Sequence, residues 1–195
     1  MLVQNVANLV WSYATLGVVD DPLMASISAA AMSQMEEMDS QNLSNIAWAF
    51  AVNALEDLPL FDALASRSIN QLSSHDGDAQ HLSNMAWSFA TIQYEHGPLF
   101  TAISAASLRS IAVFEGLNIS NTFWSFATLS RRDGPLLDAL ASAAILRITY
   151  LAAQDLSNSV WSCARLAFCN LPLLDAIASR ARAPGCQFVA QDLAN

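Results

Sequence analysis

Apolar and polar positions recur in a two-part pattern written five times along the chain. The first part centres on a tryptophan: QNVANLVWSYATL, QNLSNIAWAFAVN, QHLSNMAWSFATI, LNISNTFWSFATL and QDLSNSVWSCARL. On a helical wheel the positions five and one before Trp, and two and six after it, share one side. In the second copy these are Leu43, Ala47, Phe50 and Ala54. Positions seven and three before Trp, and one and four after it, share the other side and carry Gln, Asn, Ser or Ala, and mostly Thr. The pattern predicts an amphipathic A helix of about 13 residues in each copy.

After a loop of about five residues comes the second part: DPLMASISAAAM, LPLFDALASRSI, GPLFTAISAASL, GPLLDALASAAI and LPLLDAIASRAR. Pro22, Pro59, Pro98, Pro135 and Pro172 suit the first turn of a B helix, where the missing N–H has no helical partner anyway. Asp62, Asp138 and Asp175 are expected near the positive end of that helix's dipole. Leucine after each proline opens an apolar stripe. Small residues, such as Ala14, Ala51, Ala90, Ala127 and Ala164 three positions after Trp, predict close approach of a neighbouring helix.

Trp11, Trp48, Trp87, Trp124 and Trp161 stand 37, 39, 37 and 37 residues apart. A fixed period of this size is the signature of a solenoid, whose units bury their apolar faces against one another. The expected fold is an all-α, right-handed α-solenoid of tandem helical hairpins forming one array over 1–195, with repeats at about 4–40, 41–79, 80–116, 117–153 and 154–190. Residues 191–195, QDLAN, match 154–158 and read as the start of a truncated sixth, so the pattern predicts a piece of a longer array. The second copy is two residues longer, and the excess is expected in the loop SSHDGDA. Pro184 is expected to stop the fifth B helix about a turn early.

Composition narrows the functional classes. No stretch reaches the roughly 18 apolar residues of a membrane span, so no membrane partner is expected. Cys163, Cys169 and Cys186 form no C-x-x-C pair and read as reduced, buried thiols of an intracellular protein. His75, His81 and His96 lack metal-ligand spacing and read as surface histidines, so neither a metal nor another cofactor is expected. Residues 1–100 hold one arginine against eleven carboxylates, whereas 101–195 hold seven arginines against six, and lysine is absent. The first half would repel a polyanion and the second would tolerate one. Neither a Gly-rich phosphate loop, a nucleophile elbow nor a paired-carboxylate site is present, and the chain reads as non-catalytic.

The unit LSNxxWSFATL…GPLLDALA, as in Leu156 to Trp161 and Pro172 to Ile177, resembles the helical repeats of organellar RNA-metabolism proteins. These are the octotricopeptide-repeat family and the helical repeats that precede a RAP domain in FAST-kinase-like proteins. The resemblance covers essentially the whole chain. It implies an α-solenoid that binds single-stranded RNA in a mitochondrion or chloroplast and acts in RNA processing, stability or translation. The Pro-Pro-Pro-Glu-Trp signature of the octotricopeptide consensus is absent, and no RAP domain is visible in these residues.

Four sets of residues are candidates for the site. The five tryptophans fit either base-stacking platforms or packing at the seams between hairpins, and their recurrence beside Ala favours a structural repeat core. Asn8, Asn45, Asn84, Asn121 and Asn158 recur three positions before Trp and are expected to form an amide ladder or, alternatively, a polar track for a ligand backbone. Reading a base sequence needs polar positions that vary. Those are Asn5, Asn42, His81, Asn118 and Asp155, six before Trp, and Thr15, Val52, Thr91, Thr128 and Arg165, four after it. Arg131 and Arg132, in the fourth A–B loop, are expected phosphate contacts. At roughly one nucleotide per repeat this acidic chain would bind RNA weakly. The alternative partner is a protein, an extended peptide held on the solenoid groove.

Overall fold

The computed structural model describes residues 3–74 and 77–183. Among the described residues the chain forms ten α-helices and no strand: α1 (Val3–Thr15), α2 (Asp21–Ser33), α3 (Ser40–Val52), α4 (Leu58–Ser74), α5 (Ala79–Thr91), α6 (Gly97–Ser110), α7 (Gly116–Thr128), α8 (Gly134–Leu146), α9 (Ala153–Arg165) and α10 (Leu171–Ala181). Each odd helix has the 13 residues that the periodicity predicts. Each pairs with the following even helix. Odd helices pack on odd and even on even, so the hairpins stack in two layers. The odd layer is the more closely packed of the two.

The turn from odd to even helix is built identically five times. Gly17, Ala54, Gln93, Ser130 and Ala167 adopt left-handed backbone with φ of 49° to 65°. The next N–H returns to the carbonyl five residues back, as in Leu55 N–H to Phe50 at 2.9 Å, which makes each end a Schellman motif. Ala54 therefore leaves the helix and is exposed, although the wheel put it on the apolar side. The side chain two residues before each proline then caps the even helix. Asp20, Asp57, His96, Asp133 and Asn170 accept the N–H of Leu23, Leu60, Leu99, Leu136 and Leu173 at 2.9, 3.1, 3.2, 3.2 and 3.0 Å. These residues, not Asp62, Asp138 and Asp175, sit at the positive ends. The latter lie one turn further in, where the dipole has little effect. His96 is thus a cap and not a solvated surface group.

The core lies between the layers. Phe50, Phe89 and Phe126, two positions after Trp, are buried, and Phe89 and Phe126 meet Phe61 and Phe100 of the preceding even helices edge-on at 5.0 and 5.2 Å. Cys163 takes the same slot and is buried, which pushes its thiol up to about 11, with the nearby Cys169 adding to the shift. Cys169, expected to be buried, is exposed because it lies in the odd-to-even loop; Cys186 lies outside the described residues. The long copy differs from expectation too. Helix α4 runs 17 residues to Ser74, so part of SSHDGDA is helix and not loop. Helix α10 has 11 residues.

The small residues act as predicted. Ala7, Ala14, Ser44, Ala51, Ser83, Ala90, Ser120 and Ala127 are buried against the next odd helix, whereas Ala164, on the last one described, is exposed.

Candidate nucleic-acid interface

Each odd helix in mid-stack buries three sides: one toward the even layer and one toward each neighbour. One side remains for solvent, and it carries the positions seven and three before Trp, Trp itself, and four after it. Gln41, Gln80, Leu117 and Gln154 are exposed along it, and Asn45, Asn84 and Asn121 are half-buried.

The tryptophans lie at the rim of the core and pack at the seams: none is fully buried, and Trp48 and Trp161 lean against the core from its edge. Trp11 is 45% exposed and Trp48, Trp87, Trp124 and Trp161 are half-buried. They stand at the outer edge of the seams. Trp11 meets Trp48 with ring centroids 6.5 Å apart, and Trp87 meets Trp124 at 6.3 Å. Their indole N–H groups find no acceptor among the described residues and are not sealed from solvent. The physical reason is angular. Trp and the buried Phe two residues later point about 160° apart on a helix, and the Phe takes the core.

The expected amide ladder does not form. Among the described residues the side chains of Asn8, Asn45, Asn84 and Asn121 make no hydrogen bond, while Asn158 is buried and partnered. What these residues contribute to the helix is their backbone: Ser88 and Ser125 donate to the carbonyls of Asn84 and Asn121 at 2.7 and 2.6 Å.

A ladder exists one face round, at the slot six before Trp that variability had singled out for ligand contact. Asn118 donates to Ser83 of the preceding odd helix at 3.1 Å and accepts the Glu115 N–H at 3.0 Å. Asp155 accepts the Ser120 hydroxyl at 2.7 Å and the Ala152 N–H at 3.0 Å. His81 pairs with Ser40 at 3.1 Å, and the Asn42 amide donates to Asp39 at 2.6 Å. Asn42 and Asp155 are 6% and 8% exposed. His81, Asn118 and Asp155 thus bond the preceding odd helix while Asn42 bonds its own helix start, and in this slot only Asn5, which has no preceding helix among the described residues, is exposed. The serine four before Trp was the signal for this pairing, since it recurs in copies two to five.

The slot four after Trp stays on the outer face. Thr15 and Thr91 bond the Trp11 and Trp87 carbonyls of their own helices, both at 2.8 Å. The Thr128 hydroxyl is buried without a partner, and Val52 and Arg165 are exposed. Arg131 is held by Glu95 at 3.0 Å and lies 5.6 Å from the Phe100 ring centroid, so it braces two loops. Arg132 projects freely into the groove that Glu95, Arg131 and Asp133 line. The corresponding groove two hairpins earlier is lined by Asp21, Glu56 and Asp57 with Phe50 and Pro59, so the loop edge changes from acidic to charge-balanced along the stack.

Among the described residues no cluster of His, Cys, Asp or Glu has the arrangement to hold a metal, and no helix is long and apolar enough to cross a membrane. What the outer face offers is a row of aromatic edges alternating with unpaired amides. No curated protein matches the chain. A family model does match, over residues 1–192, and it describes the RNA-editing substrate-binding complex 6 protein. The octotricopeptide and FAST-kinase-like kinship remains a resemblance of motif; this helical-repeat chain belongs to the RNA-editing substrate-binding complex 6 protein family.

Proposed function

We propose that the chain is a non-catalytic module of an RNA-editing apparatus in a mitochondrion, holding single-stranded RNA along the outer face of its odd helices. Family membership supplies the RNA-processing setting. The observation that carries the binding surface is the set of unpartnered amides of Asn45, Asn84 and Asn121 beside outward-edged indoles. An asparagine inside a helix is unfavourable, and here no internal bond offsets that cost in three successive hairpins. An amide can donate to a phosphate or accept from a 2′-hydroxyl, and an indole gives roughly 1–3 kcal/mol to each base stacked on it. Arg132 and Arg165, both exposed at the less acidic end, are the phosphate contacts; Arg131 positions its loop through Glu95.

Titration of labelled single-stranded RNA at two salt concentrations tests the reading. Binding weakens with salt, and Arg132→Glu and Arg165→Glu each reduce the salt slope by about 1. Binding that ignores both salt and these substitutions refutes it. A second reading rests on the acidic loop edge at Asp21, Glu56 and Asp57, which suits a basic protein segment better than a phosphate chain.

A further inference from the structure

We infer that the outer face grips the repeating backbone of RNA and does not read its bases, so that the chain binds single strands without sequence preference. The inference rests on the RNA-binding reading above and specifies the chemistry of that same surface.

A base code needs side chains that differ from hairpin to hairpin, reach the ligand and have free donors or acceptors. The slot six before Trp varies, but its side chains are engaged elsewhere. Asn118 and Asp155 bond both their own helix start and the neighbouring odd helix, and His81 and Asn42 are bonded to Ser40 and Asp39. The slot four after Trp reaches the surface, yet its chemistry is nearly blank. The Thr15 and Thr91 hydroxyls donate to their own helices, the Thr128 hydroxyl is buried, and Val52 has no polar atom. Arg165 is a charge suited to phosphate.

Apart from the exposed slot seven before Trp, which is Gln41 and Gln80 but the apolar Leu117 in the fourth hairpin, what reaches out unpartnered is the same in every mid-stack hairpin: the amides of Asn45, Asn84 and Asn121, and the edges of Trp48, Trp87 and Trp124. A constant row matches the part of a polymer that is itself constant. In RNA that part is phosphate, ribose and 2′-hydroxyl, with the π-face common to all bases available to the indoles.

The test compares homopolymers of uridine, adenosine and cytidine with the whole chain, together with the variant Asn84→Leu. Leucine is similar in size and a better helix former than asparagine, so the variant stays folded, which a thermal melt verifies. The three affinities agree within about threefold, and Asn84→Leu weakens all three by the same factor. A preference of roughly tenfold or more for one base overturns the inference while leaving RNA binding intact. So does an Asn84→Leu variant that binds as tightly as the parent. Failure to bind any of the three, with retention of a basic unstructured peptide instead, overturns the RNA reading itself and the inference with it.

Discussion

Asp133 joins two functions in one side chain, and its removal measures how strongly adjacent hairpins are coupled. One carboxylate oxygen caps α8 through the Leu136 N–H at 3.2 Å; the other accepts the Ser104 hydroxyl of α6 at 2.6 Å. Asp57 repeats the arrangement with Leu60 and Ser28, at 3.1 and 2.5 Å. Asp20 makes only the cap, to Leu23 at 2.9 Å. Replacing an N-cap aspartate by alanine costs about 1 kcal/mol. Losing a hydrogen bond to a charged acceptor costs about 1.5–3 kcal/mol more, and half-burial of Asp133 selects the lower part of that range. Asp133→Ala is therefore expected to cost about 2–3 kcal/mol and Asp20→Ala about 1 kcal/mol.

Urea unfolding followed by far-ultraviolet circular dichroism supplies both numbers. A double-mutant cycle with Ser104→Ala isolates the contact between hairpins, because the cap is unaffected by the serine. Its coupling energy is expected at about 1–2 kcal/mol. Stability in a stack is a sum of unit and nearest-neighbour terms, so the coupling reports on the α6–α8 junction alone. A coupling near zero, or an Asp133→Ala cost equal to that of Asp20→Ala, refutes the claim that the cap also fastens the stack.

The left-handed turn residues give an independent check. Ala54→Gly, Ser130→Gly and Ala167→Gly relieve backbone strain and are each expected to raise stability by about 0.5–1 kcal/mol, whereas Gly17→Ala, with no atom within 4 Å of the added Cβ, loses a similar amount through strain alone. Thermal melts of the four variants verify the opposite signs. Cys163 makes stability pH-dependent. Its folded pKa is raised, so its contribution is complete below the free-thiol range and is lost as pH rises through about 11, a loss absent from Cys163→Ala. In a Cys186→Ser background a thiol reagent at neutral pH modifies exposed Cys169 at once and buried Cys163 only as fast as the fold opens; equal rates contradict the assigned burial.

The hairpins were legible because period, proline and loop length repeat together. Those signals report on local backbone, and the five turns obey them. The caps two residues before each proline were missed although the signal was there: Asp, Asp, His, Asp and Asn stand at those positions, four of the five being strong capping residues, whereas the expectation falls on Asp62, Asp138 and Asp175. Hydrophobicity failed at the seams. A stack buries three sides of each mid-stack odd helix but makes only one of them oily. The two sides that meet other odd helices are lined by Ser, Ala and Asn, since only small or hydrogen-bonded groups fit between backbones packed so closely. Asn42, Asn118 and Asp155 looked like surface because they are polar, yet they are seam.

The tryptophans invite the opposite error, and the wheel contained its correction. A large aromatic that recurs in every copy suggests core. Yet Phe two residues later recurs in three copies and is replaced in the others by the aromatic Tyr13 and the small apolar Cys163. Both cannot enter one narrow core from directions about 160° apart. Asparagine three before Trp lies only about 60° from it, so whichever way the indole points the amide follows. Once the core is assigned to Phe, the indoles and amides must share the outer face. The unbonded state of Asn45, Asn84 and Asn121 then shows that the face is not held by its own hydrogen bonds. The indoles have a structural reason to recur, since they meet at the seams, whereas the amides of Asn45, Asn84 and Asn121 have no such bond among the described residues, and it is this amide row that the proposed nucleic-acid backbone would pair with.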